Sequence, residues 1–229
     1  MTAIQRNLAP AGNVSLRVVR RAEPQWPHAD QPGVIRAFGF PNRDASPVVN
    51  AWRQSNLRNL ARGLRTVVPA RKLRIPTFYG ALFGRVIHAD GTVDELGLMS
   101  LRVVTTAGVN YIVDAFANTT ELENLKYHGY GTGATAEAAA DTALVTELTT
   151  QYATDNTRPT GTTTEGASAN IYRTVATLSP DASVAITEHG VFSATTAGTL
   201  LDRSLFSAVN LTSADSLQTT YDLTLTAGS

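Results

Sequence analysis

The four histidines are the side chains in this sequence best suited to metal binding or acid–base catalysis. They stand at His28, His88, His128 and His189, and none belongs to an H-x-x-x-H or H-E-x-x-H pattern. His128 and His189 could meet across a β-sandwich, yet histidines are common at partly buried positions without any catalytic role. The sequence therefore gives no reason to assign a metal site or a catalytic histidine pair.

A glycine-rich run at 129–133, Gly-Tyr-Gly-Thr-Gly, superficially resembles a phosphate-binding loop. A P-loop closes on Gly-Lys-Ser/Thr and leads into a helix, and no lysine follows here. The run also lacks the spacing of a dinucleotide-binding fingerprint and a βαβ context. We interpret these glycines as positions where a strand kinks or packs closely against a neighbour.

The sequence holds no other constellation that would support catalysis. There is no G-x-S-x-G nucleophile elbow, and 0 cysteines exclude a thiolate metal site, a cysteine nucleophile and disulfides. The paired carboxylates Glu121/Glu123 and Asp94/Glu95 fall in turn-like or edge positions, where solvated charge is usual. We therefore expect a non-enzymatic protein with no cofactor and no bound metal.

The composition is that of a globular chain, with 43% hydrophobic and 17% charged residues. No apolar run approaches the roughly 20 residues that a membrane span requires. Residues 1–10 contain Arg6 but lack the apolar stretch of a secretory signal. We expect no membrane partner, and a protein that stays where it is made until something carries it out.

Charge is divided unevenly along the chain although the net charge is zero. Residues 1–75 carry 13 Lys and Arg against three acids, a balance of +10, and the remainder carries six against 16, a balance of −10. Such a split usually means that one half meets an oppositely charged surface. The sequence predicts association, with an acidic domain of another copy, a shell protein or nucleic acid as the possible partners.

Eight of the ten prolines lie at or before Pro76, which predicts an extended, basic arm over residues 1–76. The arm also carries large apolar side chains that a free linker would not need. We take these groups and the arginines of a predicted helix as partner-binding residues. They are Trp26, Ile35, Phe38, Phe40, Trp52, Arg58, Arg62 and Arg65, with Val34 beside Ile35.

One helix is predicted inside the arm, at about 47–64. Ser46 suits the N-cap, Pro47 suits the first helical position, and no breaker follows before Gly63. Trp52, Leu57, Leu60 and Leu64 form a rough apolar stripe, while the three arginines at 58, 62 and 65 share another face. Two interpretations stay open: a helix that clamps one surface and presents arginines to another, or an ordinary amphipathic helix packed on its own domain.

The pattern of short strands and turns in residues 77–229 predicts an antiparallel β-sandwich or jelly roll. A hairpin turn at Asp90-Gly91 joins two strands, and Thr105 or Thr106 caps a short helix with Val109, Ile112, Val113 and Phe116 on one side. Four further strands are predicted at 170–178, 183–192, 200–209 and 216–226, the last with polar even positions that indicate a wet face. Residues 158–166 are predicted to be a surface loop. The fold class is mainly β, with one or two short helices and the extended arm.

Several short stretches in the C-terminal half carry a resemblance. They are Thr-Thr-Ala-Gly at 105–108, Leu-Lys-Tyr at 125–127, Gly-Thr-Gly at 131–133, Asp-Thr-Ala-Leu at 141–144 with Glu147, Glu-His-Gly-Val-Phe at 188–192, Gly-Thr-Leu-Leu-Asp-Arg at 198–203 and Val-Asn-Leu at 209–211. In this order, over about residues 105–227, they resemble small virion proteins of tailed bacteriophages. The resemblance implies a β-sandwich displayed on a particle, in proteins described as head decoration, cement, or tail and fibre components. Residues 1 to about 95 have no counterpart in it.

The function that we expect is that of a capsid decoration or cement protein, made in the host cytoplasm and located on the capsid surface. The sandwich would form a homo-oligomer, a trimer, and the arm would fasten neighbouring subunits of the major capsid protein or other virion proteins. Arginines interleaved with Trp26, Phe38 and Trp52 would also suit nucleic acid. We favour a protein partner, because the same chain supplies a complementary acidic half.

Two alternatives stay open. A tail, neck or fibre component would be expected to show fibrous repeats or coiled-coil heptads, and the sequence has neither. A carbohydrate- or receptor-binding module would use exposed aromatics in its end loops, whereas the loops here are rich in Thr and Gly.

Overall fold

A computed structural model of the protein describes residues 7–8, 14–15, 40–42, 44–72, 77–152 and 156–226. The elements are β1 (Asn7–Leu8), β2 (Val14–Ser15), α1 (Pro47–Lys72), β3 (Thr77–Ile87), β4 (Val93–Val103), α2 (Thr106–Phe116), a 3₁₀ turn (Leu122–Asn124), β5 (Tyr127–Gly131), β6 (Thr162–Glu165), β7 (Ile171–Leu178), β8 (Val184–Phe192), β9 (Leu200–Leu211) and β10 (Ser216–Thr226).

Two antiparallel sheets face each other, which confirms the predicted mainly β fold. The larger sheet has the strand order β4-β3-β10-β7-β6 and the smaller has the order β5-β8-β9, while β1 and β2 pair separately. The hairpin predicted at Asp90-Gly91 joins β3 to β4, and Gly91 takes a φ of 81° that favours glycine. All four predicted strands of residues 170–226 are present within two residues of their expected bounds.

The main core lies between the two sheets. Leu82, Met99 and Leu217 from the larger sheet pack against Ile186 and Val191 of the smaller one, and all five are fully buried. Strand β10 lies between β3 and β7, so neighbouring strands cover both of its sides. The prediction that its even positions form a wet face is wrong toward its C-terminal end, where Asp222 and Thr224 are buried and the guanidinium of Arg173 on β7 pairs with the Asp222 carboxylate.

Helix α1 packs along β4 and β9, the edge strands of the two sheets, and over the outer face of β3 and β4. The indole Nε1 of Trp52 donates to the carbonyl of Ser207 at 3.0 Å. The Nδ2 of Asn56 donates to the Met99 carbonyl at 2.8 Å, and its Oδ1 accepts from the Ser207 amide at 2.9 Å. The helix therefore packs on its own domain, the second of the two interpretations that the sequence left open.

The buried face of α1 differs from the predicted apolar stripe. It consists of Val49, Arg53, Asn56, Leu60, Gly63 and Val67. Arg53 and Asn56 can lie on this face because backbone groups of β4 and β9 satisfy their side chains. Trp52, Leu57 and Leu64, which the sequence placed on the inner stripe, lie half-buried at its borders.

The N-terminus of α1 is as predicted, and its C-terminus is not. Ser46 caps the helix, since its Oγ accepts from the amide of Val49 at 3.2 Å, and Pro47 is the first helical residue. The helix does not end near residue 64 but continues to Lys72. Gly63 is an interior position of close approach: a Cβ there would overlap the carbonyl of Leu101 on β4. Packing against the sheet outweighs the weak helix propensity of glycine.

Residues 158–166 are not wholly a surface loop, which corrects the prediction. Thr162–Glu165 form the exposed edge strand β6, paired with β7, and Arg158 is buried. Most of the predicted arm, including residues 16–39, lies outside the described residues, and the division at 76/77 stays a prediction. Among the described residues, no helix is long and apolar enough to cross a membrane.

Replacing Asn56 by Ala should lower the free energy of unfolding by about 2–3 kcal/mol, because it leaves the buried Met99 carbonyl and the partly buried Ser207 amide without this partner. Urea unfolding followed by circular dichroism measures this. Gln54→Ala, on the exposed face of the same helix, is the matched control and should change the value by less than about 0.5 kcal/mol. Equal effects of the two substitutions would contradict this account of how α1 docks.

Candidate functional site

The two histidines His128 and His189 meet in the interior, on the face of β5 and β8 that points toward the larger sheet. Nδ1 of His128 lies 2.9 Å from Nε2 of His189, so one of the two nitrogens carries the proton that they share. The rings lie edge to face, 5.0 Å apart. Both side chains are buried, at 0% and 1% exposure.

Hydroxyl groups of the larger sheet complete this polar layer. Thr219 on β10 places its Oγ1 3.1 Å from His128 Nδ1 and 2.7 Å from the hydroxyl of Tyr130. Thr174 on β7 places its Oγ1 3.2 Å from Nε2 of His128. The layer thus joins strands of both sheets through contacts between side chains that have no access to solvent.

Burial holds both histidines in the neutral form. It lowers the pKa of His128 to about 3, and burial together with the neighbouring His128 lowers the pKa of His189 well below its usual value. Geometry agrees, because two imidazolium rings would direct N–H groups at each other across the 2.9 Å contact. The pair therefore acts as a structural link at neutral pH.

A buried carboxyl group lies in the same space between the two sheets. Asp202 on β9 accepts from the hydroxyls of Ser204 at 3.2 Å and Tyr221 at 3.4 Å. Burial raises the pKa of Asp202 to about 6, and the positive charge of Arg102 opposes that rise. The hydrogen bonds of this carboxyl are thus made to side chains within the fold.

The outer face of the smaller sheet is covered by the segment 132–148, which Glu188 fixes in place. The carboxylate of Glu188 accepts from the amides of Gly133, Val145 and Thr146 at 2.7–3.1 Å. It also pairs with Arg203 at 2.8 Å. A Cβ at Gly131 would lie 2.6 Å from Glu188 Oε1, which explains the glycines of 129–133 as positions of close approach and confirms that interpretation.

Arg158 fixes the far end of this covering segment. Its guanidinium forms a bidentate pair with Glu147, at 2.5 and 2.8 Å, and lies 3.4 Å above the centre of the Phe192 ring. It also donates to the carbonyls of Ala194 and Ala197. This arginine therefore binds within its own chain.

A cleft of about 520 Å³ lies at the N-terminus of α1, where the described chain resumes at Phe40. Asp44, Asp94 and Glu95 give it an acidic border. Arg53 also lines it, and donates to the carbonyls of Glu95 and Leu96 at 2.8 and 3.1 Å. The described lining residues of the cleft include acidic groups but no nucleophile beside a base.

Helix α2 presents an apolar row to solvent at one end of the sandwich. Thr105 caps it, since its Oγ1 accepts from the Gly108 amide at 3.0 Å, and Gly108, Tyr111 and Ile112 face inward. The exposed row consists of Val109, Val113 and Phe116, at 39%, 59% and 77% exposure. The sequence placed Ile112 on the same side as these three residues, and that placement is wrong: Ile112 is buried. We call Val109, Val113 and Phe116 the α2 stripe.

The predicted partner-binding residues do not form one surface in the described structure. Trp26, Ile35 and Phe38 lie outside the described residues. Phe40 is 48% exposed, Arg58 and Arg65 are exposed, and Trp52 is half-buried against β9. Arg62 is exposed and pairs with Glu137 of the covering segment at 2.7 Å. The partner-binding role of these residues stays a prediction.

Sequence reasoning considered the His128–His189 contact but assigned it no role, and it missed the Glu188–Arg203 pair and the α2 stripe. The alternation of β8 was a usable signal, since it places Glu188 and His189 on opposite faces of one strand. For α2, Gly108 was the signal: a residue without a side chain allows close contact with β9, and this decides which side faces inward.

Among residues 40–42, 44–72, 77–152 and 156–226, no group of three or more His, Cys, Asp or Glu could hold a metal ion. Comparison of the sequence with known protein families gives no match, and comparison with curated proteins gives none either.

The His128–His189 pair should make stability fall as the pH drops below 6.5. The unfolded chain takes up a proton on each ring near pH 6.5, whereas the folded chain keeps both rings neutral well below that pH, because burial lowers the pKa of His128 to about 3 and also lowers the pKa of His189. Two protons correspond to about 2.7 kcal/mol per pH unit in this window. Asp202 acts in the opposite direction, because its raised pKa favours the folded state at low pH. The contribution of the pair is therefore read as a difference between variants.

Replacing His189 by Gln should make the dependence of the unfolding free energy on pH shallower between pH 6 and 4, by about 1.4 kcal/mol per pH unit. Urea unfolding at fixed pH values provides the measurement. His88→Gln is the control: hydrogen bonds with Asp215 and Asp94 raise the pKa of His88, so it is protonated in both states throughout this window. An unchanged slope in the His189 variant would show that the pair is not neutral in the fold.

Proposed function

We propose that the chain is a non-enzymatic structural protein of a tailed-bacteriophage particle, and that it decorates or cements the outer surface of the capsid. The proposal rests on one observation: the buried ionisable side chains form their contacts within the protein. His128, His189, Asp202, Glu188 and Arg158 are buried and contact groups of their own chain. They connect the layers of the fold to one another.

The placement of the resembling stretches supports the proposal. Residues 105–108 contain the cap of α2, residues 131–133 and 141–144 belong to or adjoin the covering segment, and residues 188–192 and 198–203 supply the partners Glu188 and Arg203. The resemblance to small virion proteins thus falls on the residues that hold the sandwich and its cover together.

The exposed surface supports an attaching role. The α2 stripe lies at one end of the sandwich, and the chain from the predicted arm enters at the other end, at Phe40. A protein that contacts neighbours from opposite ends can connect them. Within the arm, residues 40–42 are tied to α1, because the Asn42 amide donates to Asn50 and Arg53 donates to the Phe40 carbonyl. Residues 1–39 are the part proposed to reach other subunits.

The proposal predicts that particles from the organism encoding this chain contain it at high copy number, on the head. Full-length protein added to particles that lack it should sediment with them and appear as density on the capsid surface in electron micrographs. Protein lacking residues 1–39 should keep its cooperative thermal unfolding but lose this attachment. The reason is that residues between 49 and 226 build the core, the docking of α1 and the covering segment.

Mass spectrometry of purified particles provides an independent measurement. Absence of the chain from particles would overturn the proposal, and labelling of tails alone would overturn the capsid assignment. Attachment of the truncated protein at full occupancy would instead show that the sandwich, without the arm, binds the shell.

A further inference from the structure

The α2 stripe is bordered by negative charge. Asp114, Glu121 and Glu123 are exposed next to it, and no Lys, Arg or His occurs between residues 104 and 125. Leu122, at 43% exposure, adds a further apolar group in the following turn. A partner for this surface must offer apolar side chains together with positive charge.

Residues 34–38 of the same sequence have this chemistry. They read Val-Ile-Arg-Ala-Phe, with one arginine between apolar residues and no acid. The whole of residues 1–39 carries five arginines against two acids, a balance of +3, which equals the three carboxylates beside the stripe in magnitude. Aromatic residues and arginine are enriched at protein–protein interfaces, and this segment contains both.

The geometry of the fold separates this segment from the α2 stripe of its own copy. The Phe40 carbonyl accepts from Arg53, which also contacts the Leu96 carbonyl near the start of β4, whereas α2 begins beyond the end of β4. From Leu96 to Val103 the strand rises roughly 23 Å at about 3.3 Å per residue. An extended chain from Phe40 carries Phe38 about 7 Å and Ile35 about 17 Å. Even a fully extended chain would therefore leave Phe38 short of the stripe in the same copy.

We propose that residues 34–38 of one copy dock on the α2 stripe of a second copy. Ile35 and Phe38 cover Val113 and Phe116, and Arg36 faces Asp114 and the neighbouring Glu121. The contact is heterologous, so that each copy both gives an arm and receives one, and such contacts close into a ring or extend into a chain. This association is a property of the protein itself and does not depend on its presence on a phage particle.

The test uses full-length protein and sedimentation equilibrium. Val113→Ser/Phe116→Ser should weaken self-association by about tenfold or more, and Ile35→Ser/Phe38→Ser should weaken it to the same degree. Val145→Ser removes an exposed apolar side chain (53% exposed) from the covering segment and should leave association unchanged. Thermal unfolding of each variant shows whether its fold is intact, as expected for changes at exposed positions.

Mixing the two double variants distinguishes an arm-to-stripe contact from contacts between two stripes or between two arms. One variant has an intact arm and a damaged stripe, and the other has the reverse, so the mixture should form a one-to-one dimer and nothing larger. The chain has 0 cysteines, which makes Phe38→Cys/Val113→Cys a clean second probe. Oxidation of this variant should give disulfide-linked dimers and higher species on non-reducing gels.

Three results would overturn the proposal. A wild-type protein that is monomeric at all concentrations would exclude the contact. Disulfides formed only within monomers would assign the arm to its own copy. Weakened association in the stripe variant alone, with the arm variant unaffected, would mean that two α2 stripes pack on each other. None of these results bears on whether the chain is a component of particles, which is measured separately.

Discussion

The hydroxyl of Thr219 stands between the two sheets, in reach of both His128 on one side and the Tyr130 hydroxyl on the other. Polar groups buried this deeply are costly unless each finds a partner, so their positions have to agree across the interface. Sliding β10 by two residues would put Leu217 or Tyr221 opposite the imidazoles and leave them unpaired. Hydrophobic packing brings the sheets together, and this polar layer selects the one alignment in which they fit.

The same requirement fixes the two outer layers. On the larger sheet, Asn56 and Arg53 of α1 satisfy backbone groups of β4 and β9, which locates the helix along the seam between the sheets. On the smaller sheet, Glu188 gathers three amides of the covering segment and one arginine. With the smaller sheet and the β3–β4 part of the larger sheet covered, the surfaces left exposed include the two ends of the sandwich. One end carries the α2 stripe and the other carries the entry of the arm.

This division of roles makes sense of the charge asymmetry. The acidic half of the chain uses several carboxylates for internal contacts, as in Glu147 with Arg158 and Asp222 with Arg173, and keeps others exposed beside the α2 stripe. The arginines of α1 split in a similar way. Arg53 is buried in the seam, whereas Arg58 and Arg65 face solvent. Charge in this protein therefore helps to assemble the fold, while other charged groups stay exposed at its surface.

The sequence by itself determined the features that depend on neighbouring residues in the chain. Alternating side chains predicted the strands of residues 170–226, Asp90-Gly91 predicted the hairpin, and Ser46 with Pro47 predicted the start of α1, because strand pleat, turn geometry and helix capping are local. Only the tertiary structure decided the rest. Contact with β4 made Gly63 an interior helical residue and put Asn56 on the buried face, and contact with β9 turned Ile112 inward and left Val113 and Phe116 exposed. Pairing with β7 made a strand of Thr162–Glu165, and the meeting of β5 with β8 brought His128 to His189. Each of these outcomes depends on residues far apart in the chain, whose proximity no local pattern encodes.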